Sequence, residues 1–309
     1  MTPDRPARFS RREALTALGA TGLAGVLAAC GSPTGAGSTP PTRAGTPAPE
    51  TLRYGADPAQ YAELHLPAAV TTGALGVVVV LHGGYWQQAY GLELGTPLAV
   101  DLANGGLAAL NVEYRRVGGG GGFPATLADV AAAVDLLASP AQQVAGGRLD
   151  LGRVVLLGHS AGGQLAVWAA SRSRLPAGAP GADPLVRPRG TVSQAGVLDL
   201  VAAADQDLGG GAVVSLLGGT PAEQGPRYAL ASPAALVPAD APVVAVHGTA
   251  DSTVPFDQSA RYVDAAARAG GRARLRAVDG ADHFALIDPS DPAWRVVRDE
   301  VTGLLGPGR

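Results

Sequence analysis

The 309-residue sequence is sparing in cysteine and in charge. Its single cysteine, Cys30, leaves no partner for an intrachain disulfide, so the fold must be held by packing. Charged residues make up 16% of the chain, and 23 Lys and Arg against 26 Asp and Glu give a net charge of -3. No basic field exists to draw nucleic acid or an anionic surface, and nucleic acid is not an expected partner. The chain also lacks a G-x-x-x-x-G-K-[ST] phosphate loop. A glycine run at Gly118–Gly122 lies between a strand-like and a helix-like segment. Phe123 and Pro124 fall where a dinucleotide loop needs its third glycine, and the run reads as a flexible loop. No repeat of about 40 to 50 residues is visible, which argues against a propeller-bearing oligopeptidase.

What is present begins with an export signal over residues 1–30. Arg11-Arg12 precede an apolar stretch from Ala14 to Ala29 that is shorter than the ~20 residues of a spanning helix. The stretch ends in Leu27-Ala28-Ala29-Cys30, which resembles a bacterial lipobox. The expectation is a twin-arginine lipoprotein, exported and lipid-anchored through Cys30 on the outer face of the cytoplasmic membrane. That lipid would be its only membrane contact. Residues 31–50, almost entirely Gly, Pro, Ser, Thr and Ala, read as a tether too poor in apolar groups to offset ordering entropy.

Residues 51–309 read as one large domain, since 47% of the chain is hydrophobic. Continuous apolar runs at 76–81, 107–113, 154–157 and 242–246 suit strands buried on both faces. Helical spacing at 124–137, 161–171 and 258–269 falls between them. This alternation predicts an α/β fold, a mostly parallel sheet with helices on both faces. Residues 172–238 are irregular and predict a small insertion plus one strand near 191–197.

Gly158-His159-Ser160-Ala161-Gly162 matches G-x-S-x-G between a strand and a helix, the setting in which a serine sits on a sharp turn as nucleophile. His82-Gly83-Gly84-Tyr85-Trp86 follows the most apolar strand. Its bare backbone can aim N–H groups at an oxyanion, so Gly83, Gly84 and Tyr85 are expected to form the hole with Ala161. A serine hydroxyl needs a base, and the chain has five histidines. His65 lies in an early strand-like segment, His82 belongs to the oxyanion motif, His159 is the variable elbow residue, and His247 ends a strand. His283, in a loop after the strand-like stretch Ala273–Val278, remains as the base and fits the chain order Ser, Asp, His. Asp251, just beyond the run at 242–246, is the expected acid. Asp199, Asp257 and Asp282 are weaker candidates, and Asp251 could also be an ordinary turn residue. Tyr85, Trp86, His82 and His159 are expected near the substrate pocket. No residue is assigned to a metal.

With these motifs the chain resembles α/β-hydrolase esterases over about residues 60 to 305, particularly the His-Gly-Gly-x-Trp branch that includes kynurenine formamidases and related carboxylesterases. Asn111-Val112-Glu113-Tyr114-Arg115, Leu217-Gly218-Gly219-Thr220-Pro221 and Ser232-Pro233-Ala234 support the likeness. The resemblance implies hydrolysis of an ester or small amide through an acyl-enzyme, with no cofactor. An export signal sits poorly with an intracellular tryptophan-catabolic formamidase. A serine peptidase on this scaffold and a catalytically idle binding module are the competing readings.

Overall fold

The computed structural model describes residues 47–68 and 73–307. The stretch expected to be an export signal, Cys30 and the expected tether up to residue 46 lie outside the described residues. Strands β1 (Glu50–Arg53), β2 (Tyr61–His65), β3 (Leu75–Leu81), β4 (Ala108–Val112), β5 (Leu149–His159), β6 (Gly190–Gln194), β7 (Val243–Gly248) and β8 (Ala273–Val278) form one sheet in the order β1-β2-β4-β3-β5-β6-β7-β8. The pairs β1/β2 and β2/β4 are antiparallel, and every other neighbouring pair is parallel.

The helices are α1 (Thr96–Asn104), α2 (Ala125–Asp135), α3 (Pro140–Val144), α4 (Ala161–Ala169), α5 (Leu200–Asp205), α6 (Ala212–Leu217), α7 (Pro221–Ala231), α8 (Asp257–Arg268) and α9 (Pro292–Leu305). The pleat of β3 shows why both faces need cover. Val77, Val79 and Leu81 join a core with Leu127 and Val130 of α2 and Leu165 and Trp168 of α4. Val78 and Val80 point the other way, into a second core with Leu98 and Leu102 of α1 and Trp294, Val297 and Val301 of α9. A run of four valines is therefore two half-cores back to back, which is why it shows no polar alternation. The edge strand β8, by contrast, is at least partly exposed along its whole length.

The irregular stretch holds β6 and then α5, α6 and α7. The strand expected to reach residue 197 stops at Gln194, because Ala195 turns to a positive φ of 48° and leaves the sheet. The glycine run is hydrogen-bonded into turns: Gly119 and Gly121 N–H both donate to Arg116 O, and Gly122 N–H donates to Thr126 Oγ1. Because β3, β5 and β7 run parallel, the loops after them open at one edge of the sheet, as does the loop after β8. That carboxyl edge is where open α/β sheets bind ligands.

Candidate active site

Ser160 is the single residue between β5 and α4, with φ 56° and ψ -117°. A non-glycine residue held there costs about 1–3 kcal/mol and persists only if its surroundings impose it. They do: Ser160 N–H donates to Gln194 O at 2.8 Å, Ser160 O accepts from Gly163 N–H at 2.9 Å, and all nine residues of α4 are buried. The turn also needs Gly162, since a β-carbon there would collide with the carbonyl oxygens of Leu81 and His82. Strain at Ser160 is thus maintained by the close approach of α4 to the end of β3.

That same strand end carries His82 to Trp86. Gly83 packs against the elbow, where a β-carbon would lie 3.0 Å from His159 O and 3.1 Å from Ser160 Cβ. Gly84, Tyr85 and Trp86 all take positive φ, at 107°, 53° and 56°. Among the described residues, the backbone N–H groups of Gly83, Gly84, Tyr85 and Ala161 meet no hydrogen-bond acceptor. Ala161 opens α4, so its N–H also carries the positive end of the helix dipole.

Beyond β7, Asp251 is fully buried at its side chain, and each oxygen is engaged. Oδ1 accepts from the N–H groups of Thr253 and Val254 at 2.8 and 2.9 Å. Oδ2 lies 2.7 Å from His283 Nδ1 and 3.3 Å from His247 Nε2. Burial alone would raise the Asp251 carboxyl, but hydrogen bonds from His247, His283 and Val254 outweigh it and hold the group far below the usual carboxylate range. The other aspartates are occupied elsewhere. Asp199 caps α5, Asp282 accepts from Phe284 and Ala285 N–H, and Asp257 is exposed beside Arg261.

His283 and Ser160 line one pocket with Gly84, Tyr85, His159 and Thr253, and Tyr90, Leu94, Phe284 and Ile287 complete its lining. Its volume is about 100 Å³. Ser160 Oγ makes no hydrogen bond among the described residues, and such contacts often tighten only when substrate is bound. His159 Nε2 donates to His283 O at 2.9 Å, and the two rings are 4.4 Å apart. Burial, and then the neighbouring His283, lower the His159 imidazole to about 3, so it stays neutral.

Two residues expected near the pocket lie elsewhere. Trp86 is 1% exposed in the core, because the left-handed turn sends its ring inward, where Nε1 donates to Gln164 Oε1 at 3.0 Å. His82 is also buried. Its Nε2 lies 3.1 Å from Glu113 Oε1, its ring stacks on Tyr114 at 4.4 Å, and its carbonyl accepts from Tyr114 Oη at 2.8 Å. Glu113 further accepts from Leu92 N–H at 3.1 Å and pairs with Arg116. Burial opposes that charge, yet hydrogen bonds from His82 and Arg116 lower the carboxyl to about 2. His82 and Glu113 thus brace the glycine loop from behind.

Sequence reasoning quoted Glu113 only as part of the Asn111–Arg115 likeness and missed its contact with His82, the apolar pocket wall, and His247 as a neighbour of Asp251. Only the four-residue spacing of His247 and Asp251 offered a signal. Among the described residues, no cluster of three or more His, Cys, Asp or Glu could hold a metal ion, and no helix is long and apolar enough to cross a membrane.

Sheet order, helix cover and elbow define an α/β-hydrolase fold. Residues 63–265 match the BD-FAE family model, and the chain belongs to that family. Its fold is shared with a truncated form of a carbohydrate esterase from gut microbiota, at 21% identity and TM-score 0.73 over 86% of this chain and 99% of that one. A thermophilic esterase from the planctomycete Thermogutta terrifontis aligns at 23% identity and TM-score 0.66 in its butyrate-bound form, over 86% of this chain and 95% of that one. Esterase B from Lactobacillus rhamnosis, inhibited by a tributyrin phosphonate, aligns at 22% and 0.71, over 83% and 85%. At such identities the likeness carries the fold alone. No curated protein sequence matches the chain.

Proposed function

We propose that the protein is a serine hydrolase that cleaves carboxylic esters with small acyl groups through Ser160, His283 and Asp251. The buried 2.7 Å contact of Asp251 with His283 carries the reading, because it fixes a histidine in the pocket that Ser160 also lines. Asp251 Oδ2 accepts from Nδ1, which leaves the Nε2 lone pair to take the Ser160 Oγ proton as Oγ attacks the ester carbonyl. The N–H groups of Gly84, Tyr85 and Ala161, with Gly83 beside them, receive the oxyanion. The imidazolium returns its proton to the leaving alkoxide, and water repeats the cycle on the acyl-enzyme.

Pocket size narrows the acyl group. About 100 Å³ is well below the ~300–1,000 Å³ of sites that enclose drug-sized ligands. Its walls, Leu94, Phe284 and Ile287 among them, suit a short aliphatic chain, and the butyrate held by the Thermogutta esterase is in keeping with that. A formyl group is smaller still, so the formamidase reading suggested by the His-Gly-Gly-x-Trp motif remains the second substrate class.

The test is a panel of p-nitrophenyl esters from acetyl to dodecanoyl, a formanilide and a dipeptide, with Ser160→Ala as control. Short esters should turn over fastest and the mutant should be inert while still folded. Preference for the formanilide or the dipeptide would move the assignment, and no turnover of any substrate would leave a binding module. From Arg11-Arg12 and Cys30 we further propose export and lipid anchoring of this domain.

A further inference from the structure

We propose that His247 is a positioning residue that shares Asp251 Oδ2 with His283 and, by occupying part of that oxygen, sets how strongly Asp251 holds the His283 imidazolium. The inference rests on the proposed hydrolase chemistry and concerns a residue outside its motifs.

His247 is completely buried at the end of β7, four residues before Asp251. Its Nε2 faces two acceptors, Val254 O at 3.1 Å and Asp251 Oδ2 at 3.3 Å, so Nε2 carries the hydrogen. Nδ1 lies 2.8 Å from Ser259 Oγ on α8, whose hydroxyl hydrogen completes the pair. The ring also packs against Phe256, with centroids 5.3 Å apart. Ser259, His247, Asp251 and His283 thus form one chain of contacts from α8 to the pocket. A purely packing role for His247 would be filled as well by an apolar side chain of similar volume. Here the ring instead sets a donor against a carboxylate that already has three others.

The consequence is electrostatic. A carboxylate oxygen shared between two donors attracts each less than it would attract one alone. With His247 in place, Asp251 Oδ2 orients His283 while dividing its charge between the two rings. The other titratable groups facing this cluster are His159, against the His283 ring, and Tyr85, whose hydroxyl is raised by burial and then by Asp251. Removal of the His247 donor should concentrate Asp251 on His283 and move the acid limb of kcat/KM to higher pH. Loosening of the carboxylate should at the same time lower kcat.

The experiment measures kcat, KM and the pH profile of kcat/KM on p-nitrophenyl acetate for the full chain and for His247→Leu, His247→Gln, Ser259→Ala and Ser160→Ala. We expect His247→Leu to lower kcat about ten- to a hundredfold with little change in KM, the scale of losing a hydrogen bond to a charged group. Its acid limb should shift upward. His247→Gln, which keeps a donor near the Nε2 position, should recover most of the loss. Ser259→Ala, a small change that leaves His247 in place, should shift the limb in the same direction by less. An unmoved acid limb in folded His247→Leu, or equal damage in His247→Gln, overturns the inference. If His247→Leu does not fold, an unmoved limb in Ser259→Ala overturns it equally. Turnover surviving in Ser160→Ala would instead strike the hydrolase reading, so the two failures are separable.

Discussion

Replacing Asp251 by Asn tests the acid assignment with almost no change in shape. The Thr253 and Val254 N–H groups hold Oδ1 at 2.8 and 2.9 Å, so the amide oxygen of the new side chain stays on that side. Its NH2 then occupies the place of Oδ2, 2.7 Å from His283 Nδ1 and 3.3 Å from His247 Nε2. Two donors meet there, and His283 relieves the conflict by moving its hydrogen to Nε2. In that tautomer the nitrogen needed by Ser160 has no lone pair, and the imidazolium formed during turnover also loses its counter-charge. Together these predict a fall in kcat of ~10⁴-fold. The side chain is buried and isosteric, so KM should change far less than kcat, while loss of a carboxylate held in its charged form by these donors lowers the thermal midpoint without unfolding the protein. The control is Asp257→Asn at an exposed pair with Arg261, which should stay within about twofold of the parent. Initial rates on p-nitrophenyl acetate across neutral to alkaline pH read both. Near-parental kcat in Asp251→Asn, or collapse in Asp257→Asn, would refute the assignment and leave the Ser160 prediction standing.

Glu113 should govern acid stability. Its carboxyl is lowered from 4.5 to about 2, so its stabilisation is complete above 4.5 and is lost as pH falls toward 2, on the order of 3 kcal/mol in all. Denaturant titrations of Glu113→Gln should give lower stability at pH 7 and a flatter decline through that window; an unchanged slope would remove Glu113 as its source. His159, lowered from 6.5 to about 3 by burial, adds a loss of the same sign beginning at higher pH. Gly162→Ala puts a methyl into the carbonyls that end β3, and soluble expression with normal turnover would contradict the close approach described for the elbow. Cys30→Ala should release the domain from membranes or block its processing, and unaltered fractionation would dispose of the lipid anchor.

The parts of this architecture that a single sequence displays are those in which the backbone itself is constrained. The four valines of β3 have no polar alternation because both faces of the sheet are covered, and Gly158 and Gly162 flank Ser160 because neighbouring chain passes where a β-carbon would stand. The end of β6 is less legible, since Ala195 and Val197 are residues a strand accommodates and only the backbone shows that the chain has already turned at Ala195. Partnerships such as His82 with Glu113, 31 positions apart, or His247 with Ser259, 12 apart, are chosen by the fold and leave no local pattern. Elimination explained His247 by its place at a strand end, which is true and omits its contact with Asp251.

Trp86 and His82 show what a motif does and does not report. Both were expected beside the substrate because they flank the glycines expected to form an oxyanion hole, yet both face inward. Trp86 ties the glycine loop to Gln164 of α4, and Gln164 Nε2 donates in turn to Ala231 O at the end of α7. His82 ties the loop to Glu113 beyond β4. The residues that make His-Gly-Gly-x-Trp recognisable therefore fix the loop against the elbow. The pocket takes Gly84, Tyr85 and His159 from the motifs, but Tyr90, Leu94, Thr253, Phe284 and Ile287, which complete its lining, belong to none. In the proposed hydrolase the motif would accordingly set the geometry of the reaction, while the choice among ester, formamide and peptide would fall to these pocket side chains.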